Sequence, residues 1–333
     1  MATSTHRDVI VIGASAGGLD ALKVIAAGLP HDLPASLFVV VHTSPDSPGM
    51  IADILGRAGP LEAVMVERRE RIRRGVIYTP RPDRHLIVED ASVAAMRGPR
   101  ENRFRPAIDP LFRSAAQARG RRVIGVILSG GLDDGSAGLW AVKQLGGAAV
   151  VQDPSDAMTQ SMPRAAIRYT SVDHVVPAAE IPALLQRLVD EPIGEGRMTV
   201  PDRIKTEVEI AKEKKPLEAG VRVLGEPSIY ACPECHGVLM QVREGEQMRF
   251  RCHTGHAFSV KSLLAGFDER VDESLWNALR ASQEKVMLMR HVAEHEEAKD
   301  GLADELRAGA EEEERRRDML RSALGQRGGP PSA

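Results

Sequence analysis

Along the first half of the chain, short continuous apolar runs alternate with longer amphipathic stretches. "DVIVIG", "SLFVVVH", "LEAVMVE", "RRVIGVILSG" and "GAAVVQD" are β-branched and apolar at successive positions, and "GGLDALKVIAAGL", "LFRSAAQARG" and "AGLWAVKQLG" space their apolar residues as helices do. Strands that are apolar on both sides, separated by helices, predict an α/β domain over residues 1–189, a doubly wound, mainly parallel sheet covered on both faces. Between Arg74 and Arg97 the pattern shortens to "GVIYTPRPDRHLIVEDASVAAM", which predicts an antiparallel excursion at one sheet edge.

The pattern then changes twice. Residues 190–228 are rich in charge, Pro and Gly and read as a linker with a short helix from Asp202 to Lys215. Residues 229–258 hold all three cysteines, residues 259–325 form a polar helical tract, and 326–333, "RGGPPSA" with its neighbours, reads as a disordered tail. Leu275, Leu279, Val286, Met289 and Val292 recur at helical spacing in the tract, which fits packing within one chain, self-association or docking of a partner. Its "EEEERRR" aligns Glu311 with Arg315, Glu312 with Arg316 and Glu313 with Arg317 four residues apart.

Composition narrows the classes. With 43% hydrophobic and 27% charged residues the chain has material for a sizeable core, and a net charge of −3 gives no nucleic-acid footprint. There is no apolar run of membrane-span length and no secretory signal pattern at the first residues, so a soluble cytoplasmic protein is expected, without membrane insertion.

Chemistry gathers at three predicted strand ends. Ser15 follows "VIVIG", His42 follows "SLFVVV" and Asp134 follows "RVIGVILSGGLD". Taken singly each has an ordinary reading: Ser15 as a helix N-cap, His42 as a strand-end histidine, Asp134 as the cap of "GSAGLWAVKQL". A dinucleotide or phosphate loop is disfavoured, because Ser15 stands where the second glycine of G-x-G-x-x-G belongs and no Lys-Ser or Lys-Thr follows. Together, a hydroxyl, an imidazole and a carboxylate at one sheet edge are the parts of an activated nucleophile. Thiols at Cys232 and Cys235 (C-x2-C), then Cys252 and His256 (C-x3-H), flank a hairpin-like "VLMQVREGEQMRFR" and match a closed Cys3His site for structural zinc. His236 and His253 are nearby competitors, and three incidental thiols are the alternative. A chelator is then expected to unfold this segment and leave Ser15, His42 and Asp134 untouched.

Six stretches in order, "VIGASAGGLDAL", "VVVHTSPDSP", "IYTPRPDRHLIV", "RPAIDPLFRSAA", "VILSGGLDDGSAGL" and "VQDPSDAMTQSMPRAAI", resemble the catalytic domain of CheB-type chemotaxis protein-glutamate methylesterases over about residues 7–190. The resemblance implies Ser15 as nucleophile, His42 as general base and acid, and Asp134 as orienting carboxylate, with Asp133 the runner-up. It implies hydrolysis of γ-glutamyl methyl esters on a methylated chemoreceptor, glutamine deamidation by the same acyl-enzyme route, and no catalytic cofactor. The amides of Ala16 and Gly131 are the candidate oxyanion donors, among glycines 17, 18, 130 and 131. Ala16 and Gly131 also replace the Thr and Met common in the family, so the pocket side chains differ. Arg84, His85, Arg103 and Arg105 are candidate contacts to acidic receptor helices. Some standalone relatives look similar in the Cys-rich ribbon and helical tail. Relatives usually carry a phospho-receiver domain before this one, and the chain is expected to work without such a gate. A non-catalytic adaptor, binding through the same fold and the C-terminal segment, is the competing expectation.

Overall fold

The computed structural model describes residues 6–194, 196, 198–212, 218, 220–295 and 301–325; the tail expected to be disordered, 326–333, lies outside them. Two compact units divide at Leu263/Leu264.

The first unit begins with β1 (Val9–Ala14), α1 (Gly18–Gly28), β2 (Ser36–Val41), α2 (Ile51–Ala58), β3 (Glu62–Val66), β4 (Arg69–Arg71), β5 (Val76–Pro80), β6 (His85–Val88) and β7 (Ser92–Met96). It continues through α3 (Ile108–Arg119), β8 (Val123–Ile127), α4 (Ser136–Gln144), β9 (Ala148–Gln152), α5 (Ser161–Tyr169), β10 (His174–Val176) and α6 (Ile181–Asp190). Seven strands form one sheet in the order β10-β9-β8-β1-β2-β5-β3, all paired in parallel. Alternation along β1 sends Val9 and Val11 to one apolar cluster, with α3 and α4, and Ile10 and Ile12 to another, with α1 and α6. The expected doubly wound architecture is what forms. The excursion expected at one edge over 74–97 is corrected in part: β5 enters the main sheet between β2 and β3, while β4, β7 and β6 make a separate antiparallel sheet.

The stretch read as a linker contributes α7 (Asp202–Ala211), and Ile204 and Val208 on that helix join the cluster under α3. Four antiparallel strands follow, β11 (Glu226–Ala231), β12 (Val238–Glu244), β13 (Gln247–Cys252) and β14 (Ala257–Ser259). The expected hairpin is β12–β13, turning at Gly245 and Glu246, with Gly245 at φ 57°. The unit closes on the first residues of α8 (Val260–His295).

In the second unit the rest of α8 pairs with α9 (Leu302–Gly325). Leu279 and Val286 are buried, and Glu313 takes hydrogen bonds from Ser282 Oγ at 2.9 Å and Lys285 Nζ at 2.8 Å. Glu312 pairs with Arg316 as expected, whereas Arg317 turns to Glu314 rather than Glu313.

Candidate active site

β8, β1 and β2 are neighbours, and Ser15, His42 and Asp134 leave their carboxyl ends. That is where an open parallel sheet exposes loop backbone and side chains to a crevice. Ser15 does not cap α1: the N-cap is Gly17, at φ 74°, and no side-chain cap bond is made. A Cβ at Gly17 would stand 2.5 Å from Met158 Cβ, and one at Gly130 would stand 2.9 Å from Ser15 Cβ. Gly17 thus lets the turn after β1 close on the loop after β9, and Gly130 lets the turn after β8 close on Ser15. Ser15 N–H donates to Ser129 O at 2.9 Å across that junction.

His42 Nδ1 lies 3.1 Å from Ser15 Oγ, and His42 Nε2 lies 2.7 Å from Asp134 Oδ2. Because a carboxylate only accepts, Nε2 carries the hydrogen and Nδ1 presents its lone pair to Ser15. Asp134 is 1% exposed. It also accepts from Ile108 N–H at 2.7 Å, Gly135 N–H at 2.9 Å and Asn102 Nδ2 at 2.8 Å. Burial alone would raise its pKa; the hydrogen bond from His42, with those other donors, outweighs it and holds the carboxyl at about 2. Asp133, the runner-up, turns away and accepts from Ser259 Oγ at 2.5 Å.

Ser15, Ala16 and His42 line a cavity of about 470 Å³ together with Arg100, Arg103 and Phe104. The Phe104 ring stacks on the His42 imidazole, centroids 3.7 Å apart and planes 7° from parallel. Of the candidate oxyanion amides, those of Gly18 and Gly130 are already bonded, to Ser15 O and Thr159 O. Ala16 lines the cavity, while Gly131 is not among its lining residues and has open space where a side chain would stand.

The proposed receptor contacts divide. His85 is fully buried, with Nε2 donating to Pro99 O at 2.8 Å and Nδ1 accepting from Ala107 N–H at 3.2 Å, so it holds backbone and cannot meet a partner. Arg105 is spent on Asp83 and Gly98 O, and Arg84 on Asp83. Arg103 and Arg105 both line the cavity.

Cys232, Cys235, Cys252 and His256 place one ligand atom each within 4.8 Å of one another; His236 and His253 do not join them. His256 Nε2 lies 3.3 Å from Glu234 Oε2, which leaves Nδ1 turned to the thiols. Sequence reasoning missed what lies between this cluster and the sheet. Arg249 and Arg251 on β13 and Arg113 on α3 are 1–2% exposed and meet Glu101 and Glu207, each 1% exposed. Polar alternation in "QMRFRC" was the available signal, and it reads equally well as a solvent face.

Comparison with known proteins bears on the family and the fold. A profile of the CheB methylesterase family matches residues 10–185. A Leptospira interrogans protein provisionally named protein-glutamate methylesterase/protein-glutamine glutaminase is 40% identical over 184 residues, 55% of this chain and 95% of that protein. An Archaeoglobus fulgidus protein-glutamate methylesterase/protein-glutamine glutaminase is 32% identical over 194 residues, 57% of this chain and 56% of that protein, so the chain spans about half of the latter's length. The solved Thermotoga maritima CheB methylesterase catalytic domain superposes with a TM-score of 0.53 at 32% identity, covering 55% of this chain and 99% of that one. With the profile covering more than half of the chain and the solved domain matched over nearly its whole length, the chain belongs to the CheB methylesterase family.

Proposed function

We propose that the protein hydrolyses γ-glutamyl methyl esters on chemoreceptor-type proteins, and deamidates glutamine by the same route, through Ser15, His42 and Asp134. The observation that carries this is the unbroken chain of 3.1 Å and 2.7 Å contacts from hydroxyl to imidazole to buried carboxylate at a cavity mouth. Ser15 Oγ attacks the ester carbonyl as His42 Nδ1 takes its proton; the tetrahedral intermediate collapses, and the same proton leaves with methanol or ammonia. His42 then deprotonates a water that releases the glutamate. Asp134 stays ionised, fixes the tautomer and stabilises the imidazolium. The Ala16 amide supports the oxyanion, a donor worth about 3 kcal/mol at such sites. Arg100 and Arg103 favour an acidic segment around the ester.

Cys232, Cys235, Cys252 and His256 would hold a structural zinc. Tetrahedral zinc sets about 3.5–3.8 Å between neighbouring ligand atoms. The Cys235–Cys252, Cys252–His256 and Cys232–His256 separations are 3.5, 3.6 and 3.7 Å. Thr254 Oγ1, 2.9–3.2 Å from three of the four, would turn outward to admit the ion. Four protein ligands leave no open position, so the metal supplies folding energy and takes no part in ester cleavage.

Methanol release from methylated receptor cytoplasmic fragments tests the reading. Wild type releases methanol, and Ser15→Ala lowers the rate by about 10⁴-fold or more without unfolding; equal rates for the two proteins would refute it.

A further inference from the structure

Asn102, between β7 and α3, is 2% exposed and sits at φ 51°. The partners of its backbone N–H and of its Oδ1 come from a segment distant in sequence, Ala257 to Ser262. Asn102 N–H donates to Ala257 O at 2.7 Å. Asn102 Oδ1 accepts from Ser259 N–H at 2.9 Å and from Ser262 Oγ at 3.0 Å. Asn102 Nδ2 donates to Asp134 Oδ1 at 2.8 Å and to Asp109 Oδ2 at 3.0 Å. The amide has one sensible orientation, because the Ser259 backbone can only donate and an ionised Asp134 can only accept.

We infer that Asn102 is the positioning residue for Asp134, and that the Cys/His module, through Ala257, Ser259 and the first turn of α8, holds Asn102 in place, so that the C-terminal module completes this active site. The inference rests on reading Ser15, His42 and Asp134 as the catalytic set. Its physical basis is the pair of carboxylates that one NH2 group keeps apart. Asp109 is buried beside Asp134, and burial together with that charge pushes it up to about 7. Arg249 and Arg113 also face Asp109 and favour its ionised form, while Glu101 opposes it. Asp134 faces His42 and, further off, His85; Asp133 beside it faces Lys261 and Arg249. Without the Asn102 amide, Asp134 loses a donor to its charged form and shares its surroundings with an unscreened neighbour. Both changes favour protonation of the His42–Asp134 pair, so the acidic limb of activity moves to higher pH.

Asn102→Gly keeps the positive φ and removes the amide; Ser262→Ala leaves Asn102 present but frees one of its anchors. In the full chain, Asn102→Gly is expected to lower kcat about ten- to hundredfold with KM little changed and to shift the acidic limb of kcat/KM upward, and Ser262→Ala to do the same to a smaller extent. The low-field proton resonance of His42 Nε2–H, followed in a Ser15→Ala background, is expected to move or broaden when Asn102→Gly or Ser262→Ala is added. Loss of rate equal at every pH, with that resonance unchanged, would assign Asn102 a merely structural role and overturn the inference. If Asn102→Gly does not fold, Ser262→Ala decides by the same two readouts. Failure of the parent enzyme to release methanol, or of a serine-reactive phosphonate to label Ser15, would strike the proposed function instead; the resonance still tests whether Asn102 sets the His42–Asp134 bond.

Discussion

On the two faces of the central sheet, Val9, Val11, Ile10 and Ile12 are closed over by aliphatic and aromatic side chains, whereas β13 meets the sheet domain through Arg249 and Arg251 against Glu101 and Glu207. Both regions are dry, with exposures of 0–2%. Aliphatic contact is tolerant of shape and proportional to area, so the sheet faces give stability with little demand on partner identity. A buried ion cluster costs desolvation and is repaid only in one arrangement. Burial works against ionisation of Glu101, and Arg113 and Arg251 more than reverse it; Glu207 is held ionised by the same guanidinium group of residues. The seam therefore specifies where the Cys/His module sits, and that placement brings Ala257 to Ser262 against Asn102.

Metal removal tests this difference most strongly. At zinc-finger sites metal binding supplies about 10–16 kcal/mol of folding free energy, so a chelator should unfold β11–β14 while the aliphatic sheet core persists. The sequence alone suggests that Ser15, His42 and Asp134 would be indifferent; the Asn102 contacts predict that ester hydrolysis falls with the module. Metal content by mass spectrometry, circular dichroism and methanol release on one sample decide it, and full activity in metal-free protein would separate the module from the site.

Arg251→Met comes next. It leaves Glu101 and Glu207 without the donor that now stands 2.8 and 2.7 Å away, and breaking one side of a buried cluster typically costs about 3–5 kcal/mol. A urea midpoint lowered accordingly would support the seam as the specifying contact. A loss under about 1 kcal/mol, the size expected of an exposed pair, would mean that water reaches these charges.

What could be read from the sequence follows the same division. Ser15, His42 and Asp134 each end a local apolar run, so a parallel sheet brings them to one edge once the strands are identified. The Cys232, Cys235, Cys252 and His256 spacing is equally local. Strand order is not: β5 enters between β2 and β3, although the Pro and Asp turn that follows it reads as part of an edge excursion. Asn102 carries no local signal at all, since its meaning depends on Ser259 and Ser262. α7 misled for a similar reason. Glu207 beside Ile204 and Val208 looks like a solvated linker helix until Arg113, Arg249 and Arg251 arrive to cover it.

The smallest expected effect concerns His85, a fully buried imidazole on β6. Its folded-state ring uses both nitrogens in the neutral form, Nε2 donating to Pro99 O and Nδ1 accepting from Ala107 N–H. Burial, the largest influence, lowers its pKa below the ordinary value despite Glu101 and the Pro99 carbonyl. The unfolded chain therefore binds a proton first as pH falls, near 6.5, and the folded chain only at lower pH. His85 contributes its full stability above pH 6.5 and loses it progressively below, at no more than about 1.4 kcal/mol per pH unit. Asp109, raised to about 7, titrates in the same window with opposite sign, because its folded form takes up a proton before its unfolded form does. The raw slope is thus a difference of two terms, and the comparison with His85→Gln isolates one. Between pH 7.5 and 5.5, urea midpoints should fall more steeply for the parent than for His85→Gln, by up to the slope just given. Parallel curves would mean that the ring accepts its proton as readily folded as unfolded, which its two backbone bonds do not allow.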